Sequence, residues 1–258
     1  WAAVKLMHDY QPKSEEAAIV MQAEYEKKYR QFQNQPQPTV TDVKTTIDLF
    51  PEKNEYNIAA NYIIQNKTDK PIDSILINYS DEITIDDASF SSNNKVYKIK
   101  NQYTVIQLQN NLLTDDKEQF FTKFSYKWSA INGHKPLNAI VQNGSFMRIS
   151  RYFPKFGYFS ENEIETEEDR RRFSLGKATP LVSVDAPKNS TDDFINLDMV
   201  VSTSSKQTAI GVGELIMQWS KGDRNYFHYK TPSLVPFNFA VSSAEYAIKK
   251  TTYNGKSI

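Results

Sequence analysis

The sequence predicts a mainly β protein, with antiparallel sheets in a sandwich or saddle-like arrangement, preceded by one N-terminal α-helix. Apolar and polar residues alternate along segments such as 43–49 and 56–64, which is typical of strands with one buried face. Turn-forming residues separate these segments, as at 51–54 and 66–71. In the first 36 residues, apolar positions recur instead at spacings of three and four, which indicates a helix.

The helix is predicted to begin after Ser14, whose hydroxyl can accept a hydrogen bond from the first turn. Its apolar stripe comprises Ala18, Met21, Tyr25, Tyr29 and Phe32. We therefore divide the chain into an N-terminal helical arm, 1–36, and a β domain, 37–258. Two interpretations of the arm stay open. It is either a helix packed on its own β domain or a membrane-proximal connector leading out of a span, with Trp1 near the lipid headgroups.

The β domain is predicted to contain strands on both sides of an irregular middle region, 129–193. The strands before it cover 43–49, 56–64, 75–77, 83–85, 96–99, 103–108 and 120–128. The strands after it cover 195–201, 209–213, a hairpin over 215–229 and a last segment at 237–241. Within the middle region, Asn143-Gly144 is a strong turn signal. The densely charged segment 161–172 is predicted to be a short exposed helix or loop.

Composition excludes several kinds of function. The chain has 258 residues with 31 basic and 31 acidic side chains, and this balance argues against a nucleic-acid partner. It has no cysteine, so a disulfide, a thiolate metal site and a cysteine nucleophile are impossible. No apolar run approaches the about 20 residues of a membrane span. Because the chain begins at Trp1 rather than at methionine, we expect it to be a piece of a longer protein.

No motif for a metal or a cofactor is present. The three histidines, His8, His134 and His228, are far apart, and none lies in a His-Glu-x-x-His pattern, which places two imidazoles on one helix face around zinc. Gly211-x-Gly213 lacks a third glycine and lies in a predicted strand, so a dinucleotide site is not expected. We expect His228 to be a core or surface residue. A Ser-His-Asp arrangement stays open, because geometry defines such triads.

Several stretches, in their order along the chain, resemble one protein family. They are Ile47-Asp-Leu-Phe-Pro-Glu-Lys53, Asn66-Lys-Thr-Asp-Lys-Pro-Ile72, Asn143-Gly-Ser-Phe146, Phe153-Pro-Lys-Phe-Gly-Tyr158, and Gly213-Glu-Leu215 with Tyr226-Phe-His-Tyr229. This order is similar to the N-terminal β domain of gluzincin zinc aminopeptidases, the family of aminopeptidase N and leukotriene hydrolase. Together with Tyr25-Glu-Lys-Lys-Tyr29, it most resembles bacterial membrane proteins that fuse an ABC-type permease to an aminopeptidase-like region.

The resemblance also implies where a substrate would be held. In working members of the family, a Gln or Glu just upstream of the Phe-Pro segment helps to hold the free amine of the substrate. Here Ser145 stands at the aligned position, and Gln142 and Asn143 are the nearest polar residues. These three residues are our candidates for the substrate cleft. The family's Gly-x-Met-Glu-Asn motif is absent, so the resemblance is compatible with a degenerate, non-peptidase member.

The resemblance implies a non-catalytic N-terminal β domain that forms one wall of a substrate cleft and docks a downstream catalytic-type domain of the same polypeptide. We expect no cofactor in this chain, and zinc only in that downstream domain if the parent protein is active. The parent is expected to be held in a membrane by its own spans, with this domain on the extracytoplasmic, periplasmic side and peptides as candidate ligands. The alternatives are a stand-alone β-sandwich module for binding or adhesion to peptides or glycans, and a hydrolase with its own site.

Overall fold

The protein is mainly β, as predicted. The computed structural model describes residues 14–129, 138–180, 194–249, 251–253 and 256–257, so Trp1, His8 and His134 lie outside the described residues. The helices are α1 (Glu15–Tyr29) and α2 (Glu167–Arg172), with 3-10 turns at Arg30–Phe32, Pro51–Lys53, Ile149–Tyr152 and Ser160–Asn162. The strands are β1 (Thr39–Phe50), β2 (Glu55–Gln65), β3 (Ile72–Asn78), β4 (Thr84–Ser92), β5 (Lys95–Lys98), β6 (Tyr103–Leu112), β7 (Lys117–Lys127), β8 (Asn138–Ala139), β9 (Gly144–Met147), β10 (Lys155–Phe156), β11 (Phe194–Ser204), β12 (Thr208–Ile210), β13 (Glu214–Lys221), β14 (Arg224–Lys230), β15 (Val235–Pro236), β16 (Val241–Ala244), β17 (Thr252–Tyr253) and β18 (Lys256–Ser257).

One large sheet dominates the fold. Its strands follow the order β13-β14-β11-β1-β2-β7-β4-β5, and β15 also pairs with β11. The pairs are antiparallel except β1 and β11, which run parallel from Asp42 opposite Asn196 to Asp48 opposite Ser202. The large sheet is therefore mixed, with one parallel pair among the antiparallel pairs that the sequence predicts. Alternation of apolar residues determines which face of a strand is buried, but not the direction of its partner.

Two smaller sheets share the core with the inner face of the large sheet. Their orders are β10-β3-β6 and β12-β16-β9-β8. Buried residues of the large sheet, such as Ile47 and Ile58, belong to one apolar cluster with Ile75 of the first small sheet and Met147 and Val241 of the second. The alternate residues of β1, such as Lys44, are exposed. The large sheet thus has one face in the core and one face open to solvent.

An aromatic cluster around Phe153 fills the centre of this core. Phe153 is 2% exposed. Its ring centroid lies 5.5 Å from that of Phe124 and 5.4 Å from that of Phe239, both in edge-on geometry. Phe237 stacks on Phe239. The predicted strand at 237–241 is wrong for residues 237–240, which lie between β15 and β16, and Val241 begins β16.

Helix α1 begins as predicted and packs on the β domain. The Ser14 hydroxyl accepts a hydrogen bond from the Ala17 amide at 3.1 Å. Tyr25 stacks on Tyr158 with 5.3 Å between the ring centroids, and its hydroxyl accepts a hydrogen bond from the Phe159 amide. Tyr25, Tyr29 and Phe32 pack with Leu76 of β3 in one apolar cluster, and Tyr103 of β6 packs against it. Ala18, at the other end of the predicted stripe, is exposed. None of the described helices combines the length and the apolar character that a membrane crossing needs.

The charged segment 161–172 contains a helix but is not fully exposed. Helix α2 occupies its C-terminal half, as predicted. Arg170 and Glu163, however, are each 4% exposed, and Arg170 pairs with the buried Glu26 of α1 at 2.6 Å. The prediction of an exposed segment is wrong for these two residues. Arg170 is buried against the opposite charge of Glu26. The Glu163 carboxylate lies 3.9 Å from Arg170 and accepts hydrogen bonds from Thr179 and Tyr158.

The protein is predicted to lose stability in acid because of the carboxyl group of Glu163. Burial raises its pKa, but hydrogen bonds from the Thr179 amide and hydroxyl and from the Tyr158 hydroxyl outweigh this effect, so the pKa is lowered. Its stabilising contribution is therefore complete above the unfolded-state pKa of about 4.3 and is lost as the pH falls through the lower folded-state pKa. We expect the urea midpoint to fall as the pH is lowered from about 6 to about 3.

The Glu163→Gln variant should be less stable than wild type at neutral pH, and its stability should approach that of wild type in acid. A constant difference at every pH would contradict this prediction.

Gly213, which precedes β13, is predicted to tolerate no side chain. Its φ is +102°, and a Cβ there would lie 2.5 Å from the carbonyl oxygen of Lys230. Gly213→Ala should lower the free energy of unfolding by about 2–3 kcal/mol, measured by urea denaturation. The control is Gly222→Ala, because Gly222 also has positive φ but no atom within 4 Å of the Cβ position. The control should lose only about 1 kcal/mol. Equal losses would show that the contact with Lys230 has no effect.

Candidate functional site

The candidate cleft residues lie at the turn between β8 and β9, on the four-stranded sheet. The amide of Gly144 donates to the carbonyl oxygen of Val141 at 3.2 Å and closes the turn that the Asn-Gly pair predicts. Gln142 and Asn143 are exposed at its tip. Their side-chain amides are therefore accessible to a ligand outside the domain.

Ser145 has a different environment from its two neighbours. Its side chain is 4% exposed, and its hydroxyl accepts from the Val141 amide at 3.2 Å and donates to the Val141 carbonyl oxygen at 3.3 Å. The single O–H of this side chain is thus used within the turn. Phe146, the next residue, points outward and is 47% exposed. The structure brings all three candidates together, with two amides facing outward and one hydroxyl facing inward.

A buried polar network supports the turn from below. The side-chain amide nitrogen of Gln207 donates to the carbonyl oxygen of Gln142 at 2.9 Å. The Gln207 Oε1 atom lies 2.7 Å from Ser243 Oγ and 3.1 Å from Thr203 Oγ1, and these two hydroxyls lie 2.8 Å apart. The network therefore connects the turn to β11 and β16. Sequence analysis missed it, because a glutamine after a surface turn carries no local signal of burial.

Removing the Gln207 side chain is predicted to destabilise the protein. Gln207→Ala leaves the Gln142 carbonyl and the hydroxyls of Thr203 and Ser243 without this partner in a buried region. We expect a loss of about 1–3 kcal/mol in the free energy of unfolding, measured in urea. Gln119→Ala, at an exposed position of β7, should change stability by less than about 0.5 kcal/mol. A Gln207 variant as stable as this control would show that the network contributes nothing.

Tyr152 lies in the buried region beneath the same sheet. Its hydroxyl donates to Glu82 Oε2 at 3.1 Å and accepts from the side-chain amide of Asn138 at 2.5 Å. Burial raises the pKa of Tyr152 far above its ordinary value, and the neighbouring Tyr126 and Glu82 add to this effect. Tyr152 is therefore a neutral phenol at physiological pH, where it serves as a hydrogen-bond donor and not as a base.

The solvent-facing side of the large sheet carries a polar groove. Its cavity volume is about 600 Å³, and its lining includes Asp42, Lys44, Asn61, Gln119, Asp198 and Lys230. Asp42 accepts a hydrogen bond from the Asn196 side chain at 2.9 Å. This lining offers amide, carboxylate and ammonium groups in one place, which suits a polar ligand with several hydrogen-bonding groups.

The described residues do not fit a zinc ion. Among them, no group of three His, Cys, Asp or Glu side chains could hold a metal. His228 lies in β14, partly exposed as expected, and its Nε2 atom is 2.7 Å from Asp198 Oδ1. One imidazole and one carboxylate fall short of the three protein ligands of a catalytic zinc site.

Similarity to known proteins is found at the level of structure. No family model and no curated protein match this sequence. An M1 zinc metallopeptidase from Deinococcus radiodurans is 10% identical, with a TM-score of 0.52 over 80% of this chain and 42% of that chain. A mutant of that organism's enzyme bound to the substrate Tyr-Ser-Ala is 10% identical, with a TM-score of 0.53 over 86% of this chain and 46% of that chain.

A third solved structure gives the same result. A two-domain M1 zinc metallopeptidase mutant bound to L-tryptophan is 9% identical, with a TM-score of 0.56 over 86% of this chain and 46% of that chain. This chain thus spans less than half the length of each of these proteins. It has the fold of the N-terminal domain of M1 zinc metallopeptidases, which are proteins of the aminopeptidase N type.

Proposed function

We propose that this chain is the non-catalytic N-terminal β domain of a zinc-aminopeptidase-like membrane protein. In this proposal the domain forms one wall of the substrate cleft and docks a downstream catalytic-type domain of the same polypeptide. The observation that carries the proposal is the fold match to a two-domain metallopeptidase, of which this chain spans 46%.

The path of the chain supports the assignment of the cleft wall. Strand β16 lies beside β9, with Ala244 opposite Gly144 and Ser243 opposite Ser145. The polypeptide therefore leaves the core next to the turn that presents Gln142 and Asn143. The chain that continues from Ala244 toward a downstream domain therefore starts beside these two amides.

The side-chain amides of Gln142 and Asn143 would bind the amine of a substrate less strongly than a carboxylate does. The oxygen atoms of Gln142 and Asn143 can accept hydrogen bonds from a protonated amine, but they carry no charge. Hydrogen bonds with one ionised partner are weaker than those in which a carboxylate pairs with an ammonium group. We therefore expect weaker selection for a free N-terminus than in a family member with an acidic residue at this place.

The same proposal includes the membrane attachment of the parent protein and the compartment in which this domain lies. The arm 1–36 resembles the segment that follows a permease module in bacterial fusion proteins, and this resemblance motivates a parent anchored by its own spans. The β domain would then lie on the periplasmic side. Its partners would be the downstream domain and peptides, and no nucleic acid.

The size of the native polypeptide tests this proposal. Membranes of the source organism are solubilised, and the protein is identified by mass spectrometry of its peptides. We expect a polypeptide much longer than 258 residues, with peptidase-like sequence after Ile258. A soluble native chain that ends near Ile258 would contradict the proposal.

An activity measurement tests the non-catalytic role separately. The purified 258-residue chain is incubated with aminoacyl reporter substrates, with and without added zinc. We expect no hydrolysis above background in either condition. Hydrolysis that a chelator abolishes would overturn the assignment of a non-catalytic domain.

The polar groove favours one alternative, a stand-alone module that binds peptides or glycans. Its amide and carboxylate lining would suit the hydroxyl groups of an oligosaccharide. Calorimetric titration with oligosaccharides and peptides, comparing wild type with an Asn61→Ala/Gln119→Ala variant, tests this function. Binding that the variant loses, together with a native chain ending near Ile258, would favour the module.

A further inference from the structure

Strand β13 is an edge strand whose protection against pairing is limited to one β-bulge and to charged residues at its two ends. It ends one side of the large sheet, and among the described residues only β14 pairs with it. Seven of its eight residues are exposed, and the consecutive residues Leu215, Ile216 and Met217 are 46%, 54% and 53% exposed. The sequence pattern predicts one buried face for this strand, but both faces are open. A long apolar edge of this kind is a template for a further strand.

The strand at the opposite edge of the same sheet, β5, is better protected against pairing than β13. Strand β5 has four residues, and two of them are Lys95 and Lys98. Short edge strands with lysine side chains resist pairing with other chains. Strand β13 has no charged residue between its ends, and its single irregularity is the bulge at Ile216. Only one of these two edges is therefore suited to an interface.

We propose that β13 is a dimer interface, on which the β13 strand of a second copy of this chain pairs in antiparallel orientation. The strand begins with Glu214 and ends with Lys221. Antiparallel pairing of two identical strands brings the acidic end of each to the basic end of the other. The strand is therefore complementary to itself in charge as well as in apolar character.

The net charge of the chain also favours a second copy of the chain as the partner of β13. Basic and acidic residues number 31 each, so two copies do not repel each other at long range. Pairing would satisfy the outward-facing backbone groups of both edges and would cover Leu215, Ile216 and Met217. It would join two large sheets into one continuous sheet across a twofold axis.

The first test measures the mass of the 258-residue chain by analytical ultracentrifugation over a range of concentrations. We expect a reversible dimer. Met217→Lys, at an exposed position that the monomer does not need, should raise the dimer Kd about tenfold or more. Val96→Lys is the matched control, because Val96 is 58% exposed on the opposite edge strand. This control should dimerise like wild type.

Charge reversal distinguishes a second copy from any other occupant. Glu214→Lys and Lys221→Glu should each weaken the dimer, because each creates a like-charge contact at both ends of the pair. The double variant should regain dimerisation, since it restores opposite charges across the twofold axis. A chain that stays monomeric at every concentration would overturn the proposal, as would a dimer that these substitutions leave unchanged. Slow exchange of those β13 amides that point away from β14 would also overturn it, because a segment of the same chain would then occupy the edge.

Discussion

Replacing Arg170 with alanine is expected to lower the free energy of unfolding by about 3–5 kcal/mol. The guanidinium is 5% exposed, and its two terminal nitrogens donate to the two carboxylate oxygens of Glu26 at 3.0 and 2.6 Å. It also donates to the carbonyl oxygens of Ile164 at 2.6 Å and of Gly176 at 2.7 Å. One side chain therefore connects α1, α2 and the segments on both sides of α2.

The loss is large because of what the substitution leaves behind. The Glu26 carboxylate is 1% exposed, and that of Glu163, 3.9 Å from Arg170, is 4% exposed. Without Arg170, two buried carboxylates lie close together, and within the part of the chain that the structure describes only Arg30 still pairs with Glu26. A buried charge without its partner costs far more than the pair contributes when intact.

Arg172→Ala provides a matched control for Arg170→Ala. Arg172 lies on the same helix and also pairs with a glutamate of α1, Glu16, but both of these side chains are about half exposed. Exposed ion pairs are screened by solvent, so this substitution should leave stability unchanged within error. Both variants are compared with wild type by urea denaturation. Equal stabilities of the two variants would show that the burial of Arg170 and of its glutamate partners does not contribute to stability.

Replacing Phe153 with alanine is expected to cost about 3–5 kcal/mol. Phe153 contacts the rings of Phe124, Phe237 and Phe239, and it also lies parallel to the ring of Tyr62. Removal of its ring opens a cavity where the large sheet meets the segments that follow β9 and β15. The lost burial and the cavity both lower stability.

Two comparisons isolate the effect of the cavity at Phe153. Phe153→Leu keeps most of the buried volume and should lose less than half as much as the alanine variant. Phe146→Ala removes a ring that is 47% exposed, so its effect should stay within about 0.5 kcal/mol. Thermal and urea unfolding measure all three variants. An alanine variant that is no less stable than the leucine variant would contradict this account of the core.

The strands of the core could be predicted from local pattern alone. Strands β1, β2 and β7 alternate between buried and exposed side chains along nearly their whole length, because each has one face in the core. The N-cap of α1 and the Asn-Gly turn at 143–144 also follow from short-range chemistry, since the groups involved are within four residues of each other. The position of the candidate turn was therefore predictable.

Features that depend on distant partners could not be predicted. The burial of Arg170 requires Glu26, which is 144 residues away, so the run of charges around it looked like a solvated surface. The support of Gln142 by Gln207 joins residues 65 positions apart. The alternation in β13 indicated one buried face, but seven of its eight residues are exposed. In each case the outcome is determined by tertiary position and not by local sequence.

The parallel pairing of β1 and β11 affects how the chain acquires its structure during synthesis. Asp42 and the side chain of Asn196 meet across this pair, although 154 residues separate them. Hairpin partners such as β2 are available to β1 as soon as they emerge from the ribosome, but β11 is not. One edge of β1 therefore stays open until residues 194–204 have been translated. Contacts of such long range slow folding, and the open edge exposes the nascent chain to aggregation during that interval.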